Sequence, residues 1–257
     1  MVLTGAGCST DSGIPDYRDQ AGQWKRKPPV QQRDFVTYHA TRQRYWARSL
    51  IGWRHFSRAE PNDAHRALAR LEAAGRIRHL ITQNVDGLHQ QAGSRAVTDL
   101  HGRLDQVECL ACKARMPRGE MQQLLEARNP EWSALSAAHA PDGDADLDGR
   151  DFTRFHVPAC DACGGMLKPA VVFFGDSIPA ASTQAALAEV RGADALLVVG
   201  SSLMVWSGFR LVREAAERGI AVAALNLGLT RADGLLHLKL AASCADTLRD
   251  AAAALGA

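Results

Sequence analysis

Four of the six cysteines in this 257-residue chain stand in two C-x-x-C pairs, Cys109-Leu-Ala-Cys112 and Cys160-Asp-Ala-Cys163. Each pair presents two thiolates from one tight turn, and two such turns complete a closed tetrahedral zinc site. Gly164 and Gly165 directly after the second pair suit the close turn of a zinc ribbon. Four unrelated buried thiols are the plain alternative. A site closed by four cysteines keeps no open position, so the ion it would hold is structural and not catalytic.

A second run with chemical character is Thr4–Arg18. Val2 and Leu3 lead into Gly5-Ala6-Gly7, the opening of a phosphate-cradling turn. A dinucleotide fingerprint continues with a third glycine three residues on and an immediate helix. Here position 10 is Thr, and a polar loop with Gly13, Pro15 and an Asp16-Tyr17-Arg18 tip follows. A loop that touches a nucleotide and then reaches over it points to chemistry on the nucleotide itself. Further on, Gln83, Asn84 and Asp86 follow an apolar strand directly. Polar side chains at the carboxyl end of a parallel strand face the ligand crevice, so these three are candidates to hold a ribose and a carboxamide; a helix-capping turn is the alternative. His101-Gly102 lies at the junction before the first cysteine pair, and histidine is suited to take a proton near neutral pH, although a lone histidine is more often a satisfied structural residue. Gly200-Ser201-Ser202 and Asn226-Leu227-Gly228 end two more strands, so several small or polar loops converge on one sheet edge.

The elements that would position these groups read as an α/β alternation. Strands are expected at Val2–Thr4, Ile77–Thr82, Val171–Phe174, Ala195–Val199 and Ile220–Asn226, and helices at 63–73, 181–191 and 208–218, the last with Ser207 as its cap. The fold class is a Rossmann-like parallel sheet with helices on both faces, plus a smaller lobe made of a zinc ribbon and a helical module. Residues 1–25, 74–103 and 167–257 are assigned to the sheet domain, 26–73 to the helical module and 104–166 to the zinc module. Asp142, Asp144, Asp146 and Asp148 imitate a calcium loop, but Leu147 stands where glycine is needed and Thr153 where glutamate is needed, so the stretch is expected to be a solvated acidic loop. The net charge of +2 gives no support for a nucleic-acid surface. No apolar run is long enough to span a membrane, and no targeting segment is visible, which makes the cytoplasm the expected address. Val2–Thr4 as the whole first strand, with nothing to cover it, raises the expectation of a late start, in which case upstream residues would add thermal stability.

Together, Gly5-Ala6-Gly7-x-Ser9 with Gly13–Arg18, Thr82–Asp86, His101-Gly102, the paired C-x-x-C, Lys168-Pro169-x-Val171-Val172-Phe173-Phe174-Gly175, Gly200-Ser201-Ser202 and Asn226 resemble the sirtuins, NAD-dependent protein deacylases. The motifs cover essentially the whole chain in order. Arg42–Arg48 and the long spacer between the cysteine pairs are closest to the class II group and its mitochondrial lipoamidase and ADP-ribosyltransferase branch. The resemblance implies NAD as a consumed co-substrate lying over Gly5, Ala6, Gly7, Asp16, Tyr17 and Arg18 and contacting Gln83, with Asp86 at the nicotinamide carboxamide and Asn84 with Ser9 at the adjoining ribose. It places the adenosine half at Gly200, Ser201, Ser202, Asn226, Leu227 and Gly228, with Cys244 near the adenine. It makes His101 the general base and Asn84 a catalytic partner. It implies an acyl-lysine protein substrate bound as an added strand between the lobes along Val171, Phe173, Phe174, Gly175 and Val205. The products implied are free lysine, nicotinamide and O-acyl-ADP-ribose, with mono-ADP-ribosyl transfer as the alternative use of the same site. The chain departs from the family pattern in having Cys8 where an aliphatic residue is usual, and in lacking a helix before the first strand.

Tyr45 and Arg48 share a helix face and resemble the acid-acyl pocket of desuccinylating sirtuins, where an arginine can hold a terminal carboxylate bidentately. A surface salt bridge is the alternative. Succinyl- or glutaryl-lysine is therefore expected to be turned over at least as well as acetyl-lysine. Comparing succinyl with acetyl peptides for the wild type and Arg48→Met is expected to show a ratio that falls in the variant; an unchanged ratio contradicts the reading.

Overall fold

The computed structural model describes residues 1–147 and 149–257, without the side chains of His139 and Asp142. The chain divides into two compact units. The first comprises Met1–Lys27, Glu60–His101 and Ile178–Ala257, the second Pro28–Ala59 and Gly102–Ser177.

The first unit is built on a six-stranded parallel sheet of β1 (Val2–Thr4), β2 (Leu80–Thr82), β3 (Val97–Asp99), β9 (Ala195–Val199), β10 (Ala221–Leu225) and β11 (Leu238–Leu240), in the order β11-β10-β9-β1-β2-β3. The chain thus winds outward from β1 in one direction and, from β9, in the other. The point of reversal lies between β1 and β9, whose register pairs Leu3 with Val198 and Thr4 with Val199. In open α/β sheets that point opens the crevice where ligands bind. Helices α3 (Asp63–Ala73) and α9 (Cys244–Ala254) cover one face, burying Leu68, Leu71 and Leu248 against Val2 and Leu80. Helices α7 (Ala180–Arg191) and α8 (Trp206–Glu217) cover the other, burying Val190, Leu211 and Val212 against Leu3, Ile81 and Val198. Successive residues of β1 therefore enter opposite cores, as the period of two requires. Val2 and Leu3 are both buried, so the expectation that nothing covers the first strand is corrected: neighbouring strands flank it and helices lie over both its faces. The short α4 (Leu88–Gln91) follows the β2 loop.

In the second unit, α1 (Gln32–Thr37) and α2 (His39–Phe56) pack with α5 (Arg118–Arg128) and α6 (Pro130–Ser133) around Trp46, Leu50, Met121, Leu125 and Phe155. An antiparallel sheet of β4 (Gly102–Cys109), β5 (Arg115–Pro117) and β8 (Leu167–Val171) carries the cysteine turns, and β6 (His139–Ala140) pairs with β7 (Asp144–Ala145). Gly52 of α2 lies so close to this last hairpin that a Cβ there would stand 2.3 Å from the Gly143 carbonyl oxygen.

Several expectations change in detail. Residues 60–73 belong to the first unit and not to the helical module, because α3 packs on α9. Residues 167–177 belong to the second, because β8 pairs with β4. The strand expected at Val171–Phe174 is β8, which ends at Val171. The acidic stretch is not simply solvated: Ala145 and Leu147 are buried and Asp144 pairs with Arg48, while Asp148 lies outside the described residues. Helix α8 begins before Ser207, capped at Val205. Among the described residues no helix is long and apolar enough to cross a membrane.

The reversal point depends on glycine. Gly200 has φ +61°, and a Cβ there would stand 2.3 Å from the Cys8 amide nitrogen. Gly200→Ala is expected to destabilise the protein by about 2 kcal/mol or more through backbone strain and a displaced turn, read as a lower denaturation midpoint; an unchanged midpoint contradicts this packing.

Candidate active site and cysteine cluster

Beyond β1 the chain turns at once. Residues Ala6–Cys8 and Thr10–Ser12 form two short 3-10 turns, closed by Gly13 in the left-handed region. The Gly7 amide donates to the Gly200 carbonyl at 2.8 Å, and a Cβ on Gly7 would stand 2.9 Å from that same oxygen. Without side chains the two backbones can approach this closely.

Next to the turn, Gln83 and Asn84 follow β2. Asn84 Nδ2 donates to the Gly5 carbonyl at 3.1 Å and to Ser9 Oγ at 3.0 Å, while Ser9 Oγ donates to Asp86 Oδ2 at 2.7 Å. Asp86 also accepts from the Leu88 amide at 2.9 Å, which fixes the start of α4. Gln83 Nε2 donates to Ser201 Oγ at 2.7 Å and to the Thr4 carbonyl at 3.2 Å, tying the ends of β1, β2 and β9 together. Ser201 and Asn84 are buried, so this polar set is paired internally, as burial demands.

His101 follows β3 and is half-buried. Its Nδ1 lies 2.9 Å from the Gln83 carbonyl and its Nε2 2.8 Å from Ser207 Oγ. A carbonyl only accepts, so Nδ1 carries the proton and Nε2 is the basic nitrogen. Burial lowers the pKa of the ring below its ordinary 6.5, against a smaller opposing effect of the Gln83 carbonyl. The ring is therefore a neutral base at neutral pH.

The remaining expected contacts are placed as follows. Arg18 lies over Trp24, 3.9 Å from its ring centroid, and donates to the Gly22 carbonyl at 2.7 Å. Tyr17 meets the edge of Trp24, and Asp16 pairs with Lys25. Ser202 accepts from the Arg231 amide through its carbonyl, at 2.9 Å. Asn226 Nδ2 donates to the Gly228 carbonyl at 2.9 Å, Leu227 is exposed, and Cys244, its thiol pushed up to about 11 by burial, faces the Leu225 carbonyl at 3.8 Å. Val205 caps α8 just after Leu203, a non-glycine residue at φ +57°.

In the second unit Tyr45 is half-buried in an aromatic cluster with Phe35 at 5.4 Å and Phe173 at 5.2 Å. One turn on, Arg48 Nε donates to Asp144 Oδ1 at 2.8 Å. Val171 ends β8, and the Phe174 carbonyl accepts from the Gln32 amide at 2.8 Å, just before Gly175. An ion pair within the unit thus holds part of the arginine expected to bind acids, and the chain itself takes one backbone acceptor of the expected substrate strand.

The four cysteines converge. Cys109 and Cys163 sulfurs lie 3.5 Å apart, those of Cys112 and Cys160 3.7 Å, and all four lie within 4.8 Å of one another. Zinc bonded to sulfur at about 2.3 Å in a tetrahedron requires sulfurs about 3.8 Å apart, so the donor set fits one structural zinc. The Cys112 amide, with that of Ala111, lowers the Cys109 thiol below its ordinary value, which favours the thiolate that binds a metal. Sequence reasoning passed over Ser207, seen only as a cap, and the buried histidines His65 and His89, whose sequence setting carries no signal of where their rings point.

The sequence profile of the Sir2 family matches residues 5–207. The chain belongs to the Sir2 family. An NAD-dependent protein deacetylase of Xanthomonas axonopodis pv. citri is 63% identical over 248 residues, covering 96% of this chain and 85% of its own. The human mitochondrial NAD-dependent protein lipoamidase sirtuin-4 is 49% identical over 251 residues, covering 96% and 80%. Among solved structures, a Sir2 homologue in complex with NAD superposes with a TM-score of 0.75 at 31% identity, covering 100% of this chain and 88% of that one. A Sir2 complex with a p53 peptide and NAD+ gives 0.74 at 30%, covering 99% and 92%. The fold is thus that of the Sir2 proteins.

Removing zinc with a strong chelator is expected to unfold the ribbon cooperatively, read as lost near-ultraviolet dichroism, and Cys112→Ser is expected to lower bound zinc toward zero. Retained zinc in that variant would contradict the assignment.

Proposed function

We infer that this chain is an NAD-dependent protein-lysine deacylase that consumes NAD, acylated lysine and one water and yields free lysine, nicotinamide and O-acyl-ADP-ribose. The observation that carries this is the polarised His101, whose protonated Nδ1 is anchored on the Gln83 carbonyl and whose Nε2 is presented as a base. High-identity relatives are NAD-dependent protein deacetylases, and Sir2 neighbours have been solved with NAD and with peptide.

The residues divide the work as follows. The Gly5–Gly7 turn and Gly200 offer a surface free of side chains to phosphates, while Ser201 and Asn226 serve the adenosine half. Asn84, Ser9 and Asp86 form a linked chain of donors and acceptors at the nicotinamide ribose. When nicotinamide leaves and the acyl oxygen bonds to the ribose carbon, a ribose hydroxyl must lose its proton to attack the acyl carbon. His101 Nε2 takes that proton, and its hydrogen bond from Ser207 holds the ring until then. The acyl chain is assigned to the aromatic cluster of Phe35, Tyr45 and Phe173. Arg48 beside it serves acidic acyl groups, with Asp144 as a built-in competitor for the guanidinium.

Nicotinamide release is expected to depend on acylated peptide, and His101→Gln is expected to lower deacylation by about a hundredfold or more, the usual range for a general base. Release that does not need peptide would favour ADP-ribosyl transfer instead. Because burial lowers the His101 pKa, the base is neutral above that lowered value and protonates only below it. The acid limb of the kcat/KM profile is therefore expected below pH 6.5, the ordinary histidine value, and a limb above that value contradicts the assignment.

A further inference from the structure

Behind the glycine turn, on the side facing α3, lies a buried group that deacylation does not use. Cys8, His65 and His89 can each bring one donor atom within 4.8 Å of the others, and each is at most 1% exposed. We propose that these three residues form a second metal site, distinct from the four-cysteine ribbon, that takes a soft monovalent cation, Cu(I).

The argument begins with proton bookkeeping. Thr4 Oγ1 donates its only proton to Thr82 Oγ1 at 2.8 Å. At 2.9 Å from His89 Nε2 it must then accept, so Nε2 carries the His89 proton. That leaves His89 Nδ1 as a bare lone pair, and this buried atom has no hydrogen-bond partner. A buried acceptor without a donor costs free energy, and the atoms it can share an ion with are the Cys8 sulfur and a His65 nitrogen. His65 Nε2 is weakly engaged, 3.4 Å from Ser9 Oγ, while its Nδ1 stands 3.0 Å from Asn62 Oδ1 and 3.3 Å from the Asn62 amide nitrogen. Asn62 thus offers Nδ1 both an acceptor and a donor, and with the ring proton on Nδ1, directed at Oδ1, Nε2 is released as the ligand nitrogen, the usual posture of a metal-ligating histidine.

The ion follows from the donors. One thiolate with two imidazoles is a soft, three-coordinate set, and thiolate donors favour Cu(I) or zinc. Burial chooses between them. Cu(I) with one thiolate is neutral, whereas zinc would leave a net positive charge enclosed, at a desolvation cost. The binding step balances without redox chemistry: the Cys8 sulfur–hydrogen bond breaks, a sulfur–copper bond forms, and the proton leaves to solvent. Because Cys8 adjoins Ser9 and the Gly7–Gly200 contact, an occupied site would hold the turn in one position, so copper is expected to inhibit.

The test is anaerobic titration of the zinc-loaded protein with the Cu(I) bicinchoninate complex, with a zinc-sensitive dye present. The wild type is expected to withdraw one equivalent before any zinc is released, Cys8→Val none at that stage, and Cys244→Ser, which removes the neighbouring half-buried thiol, the full equivalent. X-ray absorption of the one-equivalent wild type is expected to show one sulfur and two nitrogen scatterers, a readout that stands if Cys8→Val fails to fold. Equal uptake by wild type and Cys8→Val, zinc released from the first addition, or an all-sulfur copper shell would each overturn the proposal.

Discussion

The contact on which the rest depends is the approach of two backbones at the sheet's reversal point. The Gly7 amide meets the Gly200 carbonyl at 2.8 Å, and neither residue has room for a Cβ. That contact brings the turn after β1 against the end of β9 and lets Gln83 reach both strand ends through Thr4 and Ser201. Two glycines far apart in sequence thus form one surface without side-chain bulk.

From that surface a chain of hydrogen bonds leads to His101, the proposed base. Gln83 uses its side chain to hold the strands and its carbonyl to anchor His101. The same residue therefore ties the strand ends together and sets the tautomer of the imidazole proposed to react. Ser9, Asn84 and Asp86 form a parallel branch, each partner fixed by the next. This internal pairing lets so many polar groups sit in a half-enclosed site without the penalty of unmet hydrogen bonds.

Much of this was legible because period and punctuation are local. β1 and β9 fall where their apolar runs stand, and α3 starts at Asn62, whose side chain accepts from Ala64 and His65 amides. The cysteine spacing forecast a cluster, and the sulfurs do converge. What stayed hidden depends on long-range partners. β3 and β11 are three residues each and are strands only because β2 and β10 pair with them. Ser207 looked like a helix cap, yet its hydroxyl sits on His101, a contact 106 residues apart. Arg48 reads through the family resemblance as a ligand for acids, with a salt bridge as the open alternative, and nothing local names Asp144 as its partner. The acidic loop read as solvated because alternating aspartates conceal the Ala145 and Leu147 that enter the core.

The most direct measurement of the central claim is the fate of ADP-ribose when acylated peptide, NAD and enzyme react, followed by mass spectrometry. A base at His101 that activates a ribose hydroxyl predicts O-acyl-ADP-ribose in equal amount to nicotinamide. Nicotinamide accompanied by free ADP-ribose or ADP-ribosylated protein, with the peptide still acylated, would contradict it.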